Sequence, residues 1–142
     1  MTQIDEILDR IVELLEASPS LSSVKKWHKV DGMIPAVHPC GSVSPVQEDF
    51  ELIAKSGGNN YKTTTRFVIY VYLQHANSET GEQQIRELAH NVRLALPVDK
   101  LVKVNNVLGG HIYSIRYMTI DASSTSLLHA AEINLHVNYV LD

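Results

Sequence analysis

The stretch LLHAAEINLHVNYVL, Leu127 to Leu141, decides how the chain folds. From Glu132 onward its residues alternate strictly. Ile133, Leu135, Val137 and Tyr139 fall on one face, and Glu132, Asn134, His136 and Asn138 on the other. Successive strand side chains point to opposite faces, so this segment builds a sheet with one dry and one wet side. Its expected hairpin partner is Ile112 to Asp121, reached through the polar loop Ala122-Ser123-Ser124-Thr125-Ser126.

Upstream of that hairpin, Leu101 to Leu108 reads as a short strand that Gly109-Gly110 breaks. Before it, an apolar stripe of Ile85, Leu88, Ala89, Val92, Ala95 and Leu96 marks a helix from Gly81 to Leu96, stopped by Pro97. Thr80 with Gln83 gives that helix a capping-box pattern. Tyr61 to His75 is rich in threonine, valine, isoleucine and tyrosine, as strands prefer. Phe67, Ile69, Val71 and Leu73 should face the core, and Arg66, Val68, Tyr70 and Tyr72 the other side. The segment is about twice the usual strand length, which raises the prospect of an arm reaching a neighbouring subunit; a long strand bent by a bulge is the plainer alternative. The loop Ser56-Gly57-Gly58-Asn59-Asn60 precedes it.

The N-terminal half opens with an amphipathic helix. Ile4, Ile7, Leu8, Ile11, Leu14 and Leu15 form its apolar stripe; Asp5, Glu6, Asp9, Glu13 and Glu16 lie opposite. Thr2 followed three residues later by Asp5 resembles a capping box, and Ser18-Pro19-Ser20 should end the helix. Val24 to Val30 and Met33 to His38 read as short extended segments around an Asp31-Gly32 turn. Val46 to Lys55 is strand-like, with Phe50, Leu52 and Ala54 opposite Asp49 and Glu51, a helical turn being the competing reading. Pro35, Pro39 and Pro45 confine strands in this region to an edge or interrupt them. The element order predicts one α+β domain over residues 1–142: a mixed, mainly antiparallel sheet with two helices packed on one face.

Composition excludes more than it assigns. With 142 residues and a net charge of -4, the chain has the size of one domain and no basic block to grip phosphates. No apolar run reaches membrane-spanning length, and the N-terminal residues lack a secretory-signal pattern. A lone cysteine, Cys40, fits a reducing compartment.

Chemistry-bearing motifs are sparse. The histidines (His28, His38, His75, His90, His111, His129 and His136) show no HExxH or paired-cysteine spacing. His136 shares a strand face with Glu132, Asn134 and Asn138, but a solvated face or subunit contact explains the row better than a metal site. His38-Pro39-Cys40-Gly41 sets a thiol near an imidazole without a third orienting group. Ser123-Ser124-Thr125-Ser126 lacks the glycines and lysine of a phosphate loop. Trp27 among Lys25, Lys26, His28 and Lys29 could stack on a nucleic-acid strand, yet a single such tryptophan more often anchors packing. Tyr70, Tyr72, Tyr113, Tyr117 and Tyr139 lie on predicted strands and suit either packing or subunit contacts. No catalytic, cofactor-binding or metal-binding residue is assigned.

The ordered layout resembles the tail terminator (tail-completion) proteins of tailed bacteriophages, the minor-tail family that includes the lambda terminator. The resemblance rests on the opening helix Ile4 to Leu15, the segment Gly32-Met33-Ile34-Pro35-Ala36-Val37, and the block Arg66-Phe67-Val68-Ile69-Tyr70-Val71-Tyr72 leading into a helix ending Val92-Arg93-Leu94-Ala95-Leu96. Its last part is the strand pair Ser114-Ile115-Arg116-Tyr117 and Ala131-Glu132-Ile133-Asn134-Leu135-His136-Val137. It is a match of layout and hydrophobic pattern over nearly the whole chain. It implies a non-enzymatic protein without cofactors that forms a homo-oligomeric ring, typically a hexamer, on the tail tube. Such a ring stops tube polymerisation and presents the docking surface for the head-tail connector. It also implies partners: other copies of itself, the tail tube protein and the connector or neck protein, with DNA passing through the lumen without sequence-specific binding. The implied location is the virion tail, and the host cytoplasm during assembly, with no membrane. Two alternatives stand beside it: a head-tail joining protein of the same particle, and a small hydrolase or metal-dependent enzyme using His38, Cys40 or His136.

Overall fold

A computed structural model describes residues 2–30, 39–52, 61–121 and 126–141. The Asp31-Gly32 turn, the Met33 to His38 segment, the Gly57-Gly58 loop and residues 122–125 lie outside the described residues.

The sheet is built from β1 (Trp27–His28), β2 (Cys40–Leu52), β3 (Tyr61–His75), β4 (Val107–Asp121) and β5 (Leu127–Leu141), in the spatial order β1-β2-β3-β5-β4. Every pairing is antiparallel except the short parallel contact of β1 with β2. Helices α1 (Gln3–Ala17) and α2 (Ser78–Ala95) and the single turn α3 (Val98–Leu101) lie on one face. The fold is α+β, as the element order predicts.

The alternation in β5 sets the two layers. Ile133, Leu135, Val137 and Tyr139 are all fully buried under the helices. Phe67, Ile69 and Val71 of β3 join them with no exposed area. From the helices come Ile7, Ile11 and Leu15 of α1 and Ile85, Ala89 and Val92 of α2. Each helix thus buries the stripe that its 3.6-residue period lines up.

Local chemistry fixes the helix ends. Thr2 accepts from the Asp5 backbone N–H and the Asp5 carboxylate accepts from the Thr2 backbone N–H, which completes the predicted capping box. α2 begins earlier than the Thr80–Gln83 pattern implies. Asn77 is its N-cap, its Oδ1 accepting from the Thr80 N–H at 2.9 Å. Asparagine is a strong cap because its short amide reaches an orphan N–H directly.

Three further expectations change. Of Val24 to Val30, only Trp27–His28 is a strand. Of the segment read as a short strand at Leu101 to Leu108, only Val107 and Leu108 are strand, opening β4; before them come the end of α3 and a turn at Asn106, whose φ of 66° an asparagine tolerates. Gly109-Gly110 does not end a strand either, because β4 runs straight through it. Leu101 of α3 packs above Gly110, where a Cβ would stand 2.8 Å from the His136 carbonyl and 3.4 Å from Leu101 Cδ1. Glycine is there for close approach. Pro45 behaves as expected of a strand proline, with a register shift between Pro45 and Gln47 in β2.

Candidate functional site

The sheet face away from the helices is uncovered by helix, and its composition is graded along the strands. At one end Cys40, Tyr72, Leu128 and Ala130 form a second buried cluster, flanked by Tyr70 and Met118. The wet side expected from the alternation in β5 is therefore wet over only part of its length. The strict polar alternation holds only from Glu132 onward, and the first part of β5 contributes apolar side chains to both faces. Even within the polar row Asn134 is buried, its Nδ2 donating to Ser114 Oγ at 3.1 Å. Asn138 accepts from the Thr64 hydroxyl at 2.7 Å, and Glu132 meets Arg116 at 3.2 Å. The row is knitted across strands.

The middle of this face carries an imidazole cluster. Register aligns Gln47, Arg66, His136 and His111 across β2, β3, β5 and β4. The His136 ring lies 4.0 Å from the Tyr113 ring, centroid to centroid, and 6.2 Å from that of His111. His136 is held below the ordinary imidazole range, first by burial, then by its electrostatic neighbours His111 and Arg66; Asp49 pulls the other way. A folded-state value below the unfolded one means that the unfolded chain binds more protons in that window. Stability is therefore complete above the unfolded histidine value of about 6.5 and falls as pH drops from there through the folded value. In the His136→Gln variant, melting midpoints measured from neutral pH to below 5 should fall less with acid than in the parent.

The other candidates are scattered. Cys40 is buried on the outer face, and desolvation pushes its thiol up to about 11. A thiol held protonated is a poor nucleophile; His38 lies outside the described residues. Trp27 is a core residue whose indole crosses Gly41, while Lys25, Lys26 and Lys29 around it are exposed. Lys29 pairs with Asp9 of α1 at 2.6 Å. The tryptophan is thus an anchor for β1 and offers no stacking surface. Of the tyrosines, Tyr139 is fully buried, its hydroxyl 3.1 Å from both Thr65 Oγ1 and Glu48 Oε1. Tyr113 and Tyr117 are exposed on β4. Among the described residues no group of three or more His, Cys, Asp or Glu side chains is placed to hold a metal ion. Among the described residues no helix is long and apolar enough to cross a membrane.

What remains is a set of surfaces suited to contact. Among the described residues β4 is hydrogen-bonded on one side only, to β5, and it presents Leu108, Tyr113, Tyr117 and Ile120, each at least 41% exposed. On the opposite edge β2 runs past β1, and its last residues Phe50 and Leu52 are 55% and 58% exposed. Sequence periodicity did assign Phe50 and Leu52 to one face. It could not tell that the helix layer stops short of them.

No family model matches the chain, and no curated protein matches it. Among solved structures, the chain superposes on a chain from the virion of a native gene transfer agent (GTA) particle with a TM-score of 0.54. The alignment covers 92% of this chain and 93% of that one at 16% identity. The two share a fold over essentially their whole lengths.

Proposed function

We propose that the chain is a non-enzymatic structural protein of a tailed-phage or phage-like particle, acting as a tail terminator. Copies close into a ring, most simply a hexamer, on the end of the tail tube. The ring stops tube growth and offers its far side to the head connector, leaving a lumen for DNA. The observation that carries this reading is the end-to-end superposition on a chain of a gene transfer agent virion. The layout of the sequence, which resembles that of terminators, agrees with it. Long exposed edges at both sides of the sheet give support, because a ring needs two different complementary surfaces on each subunit. A mildly acidic chain, at net charge -4, also suits a channel that must let DNA slide.

Deleting the gene from its particle separates this role from that of a neck protein. A terminator's loss should give overlong tubes without heads, and supplying the chain in trans should restore normal length. Tubes of normal length that merely fail to join heads would instead assign the joining role.

A further inference from the structure

We infer that neighbouring copies join edge to edge, β4 of one copy adding to the distal half of β2 of the next, so that the sheets continue around the ring. This inference rests on the terminator reading and names the contact it requires.

Three antiparallel pairings separate β2 from β4, so the two edge strands run in opposite directions. Copies related by a rotation that preserves strand direction therefore bring β4 and the neighbour's β2 together as an antiparallel pair. The heights agree as well. A single transverse row runs Phe50, Thr63, Tyr139, Val107 from one edge to the other. Exposed Phe50 on one side thus stands level with Val107 on the other, beside exposed Leu108. Leu108 is the residue at a register shift between Val107 and Gly109, and a bulge of this kind re-aims a side chain.

Edge strands are normally blunted with lysine, proline or inward charge. From Val107 to Asp121 there is neither lysine nor proline, and large apolar side chains are exposed along the strand. That is the composition of an edge meant to be covered. Charge favours a heterologous match over two like edges meeting. The distal part of β2 carries Glu48, Asp49 and Glu51, whereas the segment leading into β4 carries Lys100 and Lys103 against the single carboxylate Asp99. Two β2 edges would repel; a β2 edge and a β4 edge attract.

Sedimentation velocity on complementary edge variants tests the contact. Phe50→Lys alone and Leu108→Lys alone should each drop from the wild-type oligomer to the 15.8 kDa monomer, with melting transitions retained because both residues are exposed. Mixed in equal amounts they should form a heterodimer and nothing larger, since each keeps the one edge that the other lacks. Homodimers of either variant, or oligomers unchanged by both substitutions, would overturn the contact while leaving the terminator reading intact. A wild-type chain that stays monomeric through the accessible concentration range would also overturn it. Complementing variants whose parent ring fails to stop tube growth would uphold the contact and sink the terminator role.

Discussion

Leu135→Ala should lower unfolding free energy by about 2–5 kcal/mol, whereas its strand neighbour Asn134→Ala should cost only about 0.5–1.5 kcal/mol. Leu135 has no exposed area and sits between Phe67 of β3 and Ile112 of β4 in the register. Truncation there removes apolar area and leaves a cavity that a five-stranded sheet under two helices cannot collapse around. Asn134 faces the other way, and the lost interaction is one hydrogen bond to Ser114, itself on an edge strand that water can reach. Against a total stability of about 5–15 kcal/mol for a domain, the first substitution is severe and the second mild. Urea denaturation of the two variants measures the difference directly. Equal losses would mean that the two faces of β5 had been exchanged.

Gly81→Ala should destabilise by about 1–3 kcal/mol, the opposite sign to the usual gain of about 1 kcal/mol for replacing a helical glycine. Gly81 lies in the first turns of α2, where the helix presses on the fully buried imidazole of His129. A Cβ at Gly81 would stand 2.2 Å from His129 Nε2 and 2.4 Å from its Cδ2. The ring has little room to yield, being held in β5 with Nδ1 3.3 Å from Thr119 Oγ1. The cause is therefore a specific overlap, which a double-mutant cycle isolates. In a His129→Ala background the Gly81→Ala step should become neutral or stabilising. If it stays equally harmful there, backbone conformation and not the imidazole is responsible.

These two sites show what the sequence could and could not disclose. The face of Leu135 was legible because its stretch of β5 alternates strictly and period-2 alternation has one structural solution. The stripes of α1 and α2, the Thr2 capping box and the interruption at Pro45 were legible for the same reason: each is set by neighbours a few residues away. The Gly81–His129 contact joins residues far apart in sequence, and neither residue type announces the other. Gly109-Gly110 misled for a related cause. Paired glycines signal a turn when read locally, but here they admit α3 and the neighbouring backbone to close range. The buried cluster of Cys40, Tyr72, Leu128 and Ala130 was hidden because alternation fails before Glu132, where small and apolar residues fill both faces. Chemistry followed a similar division. The histidines carried no ligand spacing, and sequence alone could not show that His111 and His136 meet across β4 and β5. The contact surfaces were partly legible: Phe50 and Leu52 were assigned a common face, while their exposure depends on where α1 and α2 end over the sheet.

The functional reading turns on whether the chain ends a tube. The most direct measurement adds purified chain to tail-tube subunits of its own particle while they polymerise, and follows tube length by electron microscopy. Growth should stop at once, with ring-shaped density on one end of each tube and no further elongation when fresh subunits are added. Tubes that keep lengthening at an unchanged rate under saturating chain, with bare ends, would contradict the terminator role.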